Sequence, residues 1–346
     1  MSPRFTLATF LALFAGILAI GATPAAAVPP ATDFWLNKHF MNMAHQGGEL
    51  EAPGNTLYAF KTAIRDRGAD TLEMDGYLTK DGEFVITHDL NTNPTANKAV
   101  RIDQSTLAEL KELDFAWKYT PGKGHYGFNE DDPHPFRGIA TGDVPPPEGY
   151  TADDFKIATL REVLEAFPDT PLNVDMKAPG SDKDMSVTAA TEVAKVLADY
   201  PERSEDVIVA SFYQPAMVAF HEQLPSWKAL SVGEGGPGQG GLFDYALNGK
   251  AIHPNPVAFQ PPDWIFLGDW MEPVKLITRW PDHTDYAIHV WPNDHDPEQD
   301  TPPYYRRQIA LGVDGIFTQV PGKLHEFLCE EGIPRPDGSP RCAAQE

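Results

Sequence analysis

Cysteine is nearly absent from this chain: Cys329 and Cys342 are the only two in 346 residues. A zinc centre needs more Cys or His neighbours at ligand spacing, so none is expected. Positive charge is also scarce, with 27 Lys and Arg against 50 Asp and Glu, for a net charge of −23. That balance argues against a nucleic-acid partner, because phosphate backbones demand a basic face. It also argues against docking on anionic lipid through a polybasic patch. An anionic small substrate stays admissible if a cation sits in its site. Long apolar runs are missing beyond residues 7–20, and those 14 residues are too short to span a bilayer as a helix. No transmembrane segment is therefore expected after the N-terminus. Internal repeats and low-complexity tracts are missing too.

The N-terminus reads as a secretory signal peptide over residues 1–27. Arg4 is the only charge before residue 33, an apolar run follows, and Ala25-Ala26-Ala27 supplies the small residues of a cleavage site. No Cys follows the run, so a lipid-modified N-terminus is unsupported. The expectation is a secreted or extracytoplasmic protein whose residues 28–346 form a single domain. In such a compartment Cys329 and Cys342 are expected to pair with each other. The bond would tie down the C-terminal tail, worth up to about 3 kcal/mol.

Proline is in excess, 33 residues against a usual share of roughly 5 %. The excess gathers in three stretches, 120–149, 233–262 and 292–303, and loops of that length are usually functional or disordered. The first, with its approach, interleaves Phe115, Trp117, Tyr119, Tyr126, Phe128 and Phe136 with proline. It reads equally as a self-packed loop or a lid over a site. Elsewhere short β-rich runs alternate with amphipathic helical stretches. Strands are predicted over 41–45, 71–78, 84–88, 172–176, 207–212, 286–291 and 313–318, and helices over 55–67, 159–167, 185–198 and 304–311. This rhythm of βα units predicts an α/β fold around a parallel sheet. The length suits a (β/α)8 TIM barrel with long insertion loops, the bare barrel needing about 250 residues. A doubly wound sheet is the alternative, but no Gly-rich dinucleotide loop follows the first predicted strand.

Glu73 and Asp75 stand two apart on the predicted strand 71–78, so both point to one face. Inward-facing carboxylates are prohibitively costly to bury uncompensated. At a strand's C-terminal end they become tolerable if they bind a hard cation. Taken alone, the pair reads equally as solvent-facing on an edge strand. Asp175 and Lys177 repeat the spacing, either as a simple Asp–Lys pair or as a third metal-binding carboxylate with a phosphate-holding lysine. His45 and His88 close the predicted strands 41–45 and 84–88. Each alone is ordinary, but five such residues at strand ends would gather at the C-terminal mouth of a barrel. Two histidines beside a metal suit acid–base cleavage of a phosphodiester. One takes a proton from the nucleophile and the other gives one to the leaving oxygen, while the metal neutralises phosphate charge.

These residues lie in a series of motifs: His45-Gln46-Gly47-Gly48, Pro53-Gly54-Asn55-Thr56, Leu72-Glu73-Met74-Asp75, Leu78-Thr79-Lys80-Asp81-Gly82 and His88-Asp89. Near the C-terminus stands Gly312-Val313-Asp314-Gly315-Ile316-Phe317-Thr318, preceded by Trp291 and Asn293. In order and spacing they resemble the glycerophosphodiester phosphodiesterase family over about residues 40–325. Any one motif is weak; their succession is specific. Residues 159–177 resemble the branch with lysophospholipase D activity. The resemblance implies a (β/α)8 barrel that hydrolyses small glycerophosphodiesters, or lysophospholipids, to an alcohol and glycerol phosphate or lysophosphatidate. It makes His45 and His88 the acid–base pair. Glu73, Asp75 and Asp175 would bind one divalent metal, calcium or magnesium, and Lys177, Gln46 and Trp291 would meet substrate.

Three positions depart from the family pattern. Gln46 stands where Arg is usual, Gly54 replaces the Glu of Pro-Glu-Asn-Thr, and Asp175 replaces Glu, one methylene shorter with its charge kept. Glu49 and Glu51 are candidate stand-ins for the missing Glu. Two alternatives accompany the expected phosphodiesterase. A sphingomyelinase-D-like phospholipase shares the two-His, Glu-x-Asp plus Asp arrangement, but Pro-Gly-Asn-Thr and Gly-Val-Asp-Gly-Ile argue against it. A catalytically inactive exported binding protein of the same fold draws support from Gln46 and Gly54.

Overall fold

The computed structural model describes residues 34–36, 39–177, 183–233, 238, 240–263, 272–292 and 298–342. The expected signal peptide and Asn293 lie outside the described residues.

The chain alternates strand and helix. Strand β1 (Met41–Ala44) leads through a 3-10 turn at His45–Gly47 to α1 (Leu57–Arg65), whose first turn is capped by the Thr56 hydroxyl accepting from the Ala59 N–H. There follow β2 (Thr71–Leu78), β3 (Phe84–Ile86), α2 (Leu107–Lys111), α3 (Leu160–Ala166), β4 (Leu172–Met176), α4 (Lys183–Leu197), β5 (Val207–Ala210) and α5 (Gln214–Gln223). The last part holds α6 (Leu242–Asn248), β6 (Ala258–Phe259), α7 (Pro273–Thr278), β7 (Ala287–Val290), α8 (Pro302–Ala310), β8 (Gly315–Thr318) and α9 (Pro321–Glu330).

Seven strands pair in parallel in the order β5-β4-β2-β1-β8-β7-β6. Two residues close the ring. Leu230 bridges in parallel to Val209 of β5, and Ser231 to Ala258 of β6. Leu230–Ser231 is thus the eighth stave of a (β/α)8 barrel. It is too short to carry a hydrophobic pattern, which is why the sequence gives no sign of it.

Outward-facing Leu72, Met74, Leu172 and Val174 pack against Ala190, Val193 and Met217 in one helix-side cluster. Phe259, Ile288 and Ile316 pack with Tyr245, Tyr304 and Leu324 in another. Inside the ring, Met41, Met43, Ile208, Ala258 and Phe317 meet Trp35. The C-terminal tail folds back under the barrel. Cys329 and Cys342 form a disulfide, and Asp70, just before β2, receives both Arg335 and Arg341.

Four predicted strands end early: 207–212 stops at Ala210 and 286–291 at Val290, and at the other two the difference positions the site. The run 41–45 stops at Ala44, because His45 opens the 3-10 turn and Gln46 takes a left-handed backbone with φ 50°. The run 84–88 is a strand only to Ile86. It pairs antiparallel with β2, Gly76 opposite Ile86, so it is a hairpin arm and not a stave. The loop 120–149 packs against α1: Phe136 lies tilted on Tyr58, which Tyr150 meets edge to face and Phe155 stacks on.

His289 of β7 is fully buried inside the ring, and neither ring nitrogen has a hydrogen-bond partner among the described residues. Burial pushes its pKa down to about 3, against roughly 6.5 in an unfolded chain. The unfolded state therefore binds a proton below pH 6.5 that the folded state refuses, and stability falls with pH across the window from 6.5 to about 3. At pH 5 the expected loss is about 2 kcal/mol relative to pH 7. Urea unfolding at the two pH values should show this loss in the native protein and a correspondingly smaller one in His289→Leu.

Candidate active site

Strand alternation builds the site. With Leu72, Met74 and Val174 given to the helix layer, Glu73, Asp75, Asn173 and Asp175 must face the interior. Register then sets Asp75 beside Asp175 across the β2–β4 pair. The C-terminal mouth opens into a cavity of about 450 Å³ lined by His45, Glu73, Asp75, His88, Asp175 and Lys177. Its other wall carries Phe212, Val232, Gln260, Trp291 and Pro292. Trp291 and Phe212 meet edge to face at 5.7 Å between centroids.

Lys177 lies between two acids, its Nζ 3.0 Å from Asp75 Oδ1 and 2.7 Å from Asp175 Oδ2. It also stands 5.0 Å from the centre of the Phe212 ring. Burial works to raise Asp75, but Lys177 and the two histidines outweigh it and hold that carboxyl low. Glu73 is raised, by burial and by Asp75 beside it. Asp175 is raised too, mainly by burial. One ammonium thus serves three buried carboxyls.

His45 Nδ1 lies 2.5 Å from Glu49 Oε1, and its Nε2 faces Glu73 at 4.0 Å. Burial alone would lower this imidazole; Glu49, Glu73 and Asp75 reverse that and raise it to about 10. His88 reaches the mouth from the hairpin arm. Its Nδ1 lies 2.9 Å from the hydroxyl of Tyr126, which donates to Asp89 Oδ2 at 2.6 Å. Asn55, with φ 59°, holds Asp75 by donating to Oδ2 and accepting from its N–H.

Of the residues singled out in the sequence, His45, Glu73, Asp75, His88, Asp175, Lys177 and Trp291 line one cavity. Gln46 does not. Its left-handed backbone aims the N–H at Glu73 Oε2, at 2.8 Å, and its side chain is buried toward Gly54. The expected substrate contact of Gln46 has no counterpart in the cavity lining, and the residue meets Glu73 through its backbone N–H instead. A Cβ at Gly54 would stand 2.8 Å from Glu49 Cβ and 3.3 Å from Gln46 Cβ. Glu49 fills the space that a side chain at 54 would need, whereas Glu51 turns to Arg67 and the Gly322 N–H. Cys329 and Cys342 belong to the tail at the far end of the barrel.

The donor set fits a hard divalent cation: three buried carboxyls face one cavity, and Asp175 Oδ1 has no hydrogen-bond partner among the described residues. As the side chains stand, no three His, Cys, Asp or Glu among those residues enclose an ion, because Lys177 takes the place between Asp75 and Asp175.

The model of the glycerophosphoryl diester phosphodiesterase family matches residues 45–323. The chain belongs to this family of phosphoric diester hydrolases. Its relatives include a glycerophosphodiester phosphodiesterase of Bacillus subtilis, 25% identical over 323 residues that cover 91% of this chain and 96% of that protein. A human lysophospholipase D is 24% identical over 317 residues, 85% of this chain and 87% of that one. Among solved structures, a glycerophosphoryl diester phosphodiesterase from Parabacteroides distasonis has a TM-score of 0.58 at 19% identity, covering 87% of this chain and 91% of that one. An Oleispira antarctica phosphodiesterase in complex with the product sn-glycerol-3-phosphate also has a TM-score of 0.58 at 19% identity, over 83% of this chain and 95% of that one. At that identity the two structures show the shared fold, in agreement with the barrel expected from the sequence.

In this phosphodiesterase the placement of His88 hangs on Gly76. A Cβ there would collide with the Phe84 ring and stand 2.8 Å from the Val85 carbonyl oxygen. Gly76→Ala should therefore push β3 off β2, costing about 1–3 kcal/mol. Diester turnover should fall with it, because His88 lines the cavity. Thermal unfolding and steady-state kinetics check the two effects, and full turnover in the folded variant would refute the link.

Proposed function

We propose that this protein is an exported, metal-dependent phosphodiesterase that splits glycerophosphodiesters or lysophospholipids into an alcohol and glycerol phosphate or lysophosphatidate. The observation that carries this reading is the gathering of two histidines, three carboxyls and one lysine around a single cavity in a chain of this family.

In this reading His45 and His88 do the proton transfers. Each is engaged at Nδ1, by Glu49 and by Tyr126; the Nε2 of His45 faces Glu73 at 4.0 Å at the edge of the cavity, and the Nε2 of His88 is left for the substrate. One histidine takes the proton of the attacking oxygen while the other returns one to the leaving alcohol. Lys177 meets a phosphate oxygen, and the wall of Phe212, Val232, Trp291 and Pro292 receives the apolar part of the substrate. Glu73, Asp75 and Asp175 would hold one divalent cation, calcium or magnesium, which when bound neutralises phosphate charge. The attacking oxygen belongs either to water or to a neighbouring substrate hydroxyl, and a cyclic phosphate among the products marks the second route.

Glycerophosphocholine and lysophosphatidylcholine are the test substrates. With calcium or magnesium at least one should be hydrolysed, and chelator should stop the reaction. His45→Ala and His88→Ala should each lower kcat by about a hundredfold or more with unchanged thermal unfolding. Failure of the metal-loaded protein on both substrates would sink this reading, and tight binding without hydrolysis would favour the inactive binding protein. Mass spectrometry of the exported protein should find Val28 at its N-terminus.

A further inference from the structure

The long loop carries a side chain into the site that the family motifs do not include. Tyr126 leaves more than half of its surface to solvent, 59 %. A tyrosine kept for packing buries its ring. Here the ring stays out while the hydroxyl is engaged twice, with His88 Nδ1 at 2.9 Å and with Asp89 Oδ2 at 2.6 Å. A phenol has one hydrogen to give. Asp89 is a carboxylate at neutral pH and can only accept, so that hydrogen points to Asp89. The phenol oxygen must then accept at its other contact, and the hydrogen between it and His88 belongs to Nδ1. Nε2 is left to face the cavity, able to receive a proton or to give one.

We infer that Tyr126 is a positioning residue for His88, fixing the imidazole in the Nδ1–H tautomer, and that the loop around it is a built arm that delivers it. This rests on the reading of His88 as an acid–base group. The arm is anchored to the turn that follows His45. The Gly122 N–H and the Tyr119 hydroxyl both donate to the Leu50 carbonyl, at 2.8 and 3.2 Å. Gly124, with φ +65°, comes so near the Glu49 carbonyl oxygen that a Cβ would stand 3.1 Å from it. Behind, the Gly138 N–H donates to Asp114 Oδ2 at 2.7 Å, and Arg137 lies over the Trp117 ring. The arm therefore touches both histidines' supports, His88 through the phenol and His45 through the backbone of Glu49, whose carboxyl meets His45.

The test is Tyr126→Phe in the full chain, which removes one oxygen from an exposed ring. Nitrogen NMR of protein labelled with [15N]histidine reads the tautomer directly, at a pH above the His88 titration. The His88 signal is identified by its loss in His88→Ala. In the native protein His88 should show a protonated Nδ1 and a bare Nε2. Asp89 Oδ1 lies 3.5 Å from the same Nδ1 and favours the same tautomer more weakly, so in Tyr126→Phe the Nδ1–H form should lose population to the Nε2–H form without vanishing. With either test substrate, kcat should fall about tenfold, a fraction of what a whole acid–base group supplies, with KM within about twofold and thermal unfolding unchanged. An unchanged tautomer in Tyr126→Phe overturns the inference, whatever the activity. Because the NMR reading needs no turnover, native protein that hydrolyses neither substrate would sink the functional reading alone.

Discussion

Three carboxyl groups buried at the mouth of a barrel, with one ammonium among them, are the constraint on which the rest of the site depends. Carboxylates at this depth repel one another across a medium that screens poorly. Lys177 satisfies Asp75 and half of Asp175, and the remainder is met by moving protons: Glu73 and His45 are both shifted toward their protonated forms. The site is thus short of positive charge. Its neighbours are arranged to hold that shortage in place, with Asn55 on Asp75 and the Gln46 N–H on Glu73. An arrangement of this kind serves badly as a structural core.

The departures from the family pattern become coherent in three dimensions. Gly54 and Glu49 are two sides of one packing problem, since the Glu49 side chain occupies the space a residue at 54 would claim. The Gln46 side chain packs toward Gly54, and its backbone N–H makes the contact to Glu73.

How much was legible in the sequence follows the range of each interaction. Glu73, Asp75 and Asp175 could be placed because strand period is a two-residue property, and β2 and β4 appear with the bounds the pattern implied, Thr71–Leu78 and Leu172–Met176. His88 lines the cavity from a hairpin arm that the sequence pattern reads as a stave. Apolar alternation reveals a strand but not its direction, so the antiparallel arm passed for a stave. The stave at Leu230–Ser231 was invisible because two residues have no period. Tyr126 was noted only as one aromatic among several, since its meaning lies in a contact 38 residues away in sequence.

The two halves of the ring carry different kinds of residue. Every titrating side chain of the cavity comes from β1, β2, β4 or the hairpin on β2, whereas Phe212, Val232, Gln260, Trp291 and Pro292 follow β5, the short stave, β6 and β7. The two-residue stave at Leu230–Ser231 lies in the second half, where main-chain bonding between neighbours is sparsest. The two sides meet where Lys177 lies 5.0 Å from the centre of the Phe212 ring. In this barrel charge is gathered on one side of the mouth and apolar surface on the other.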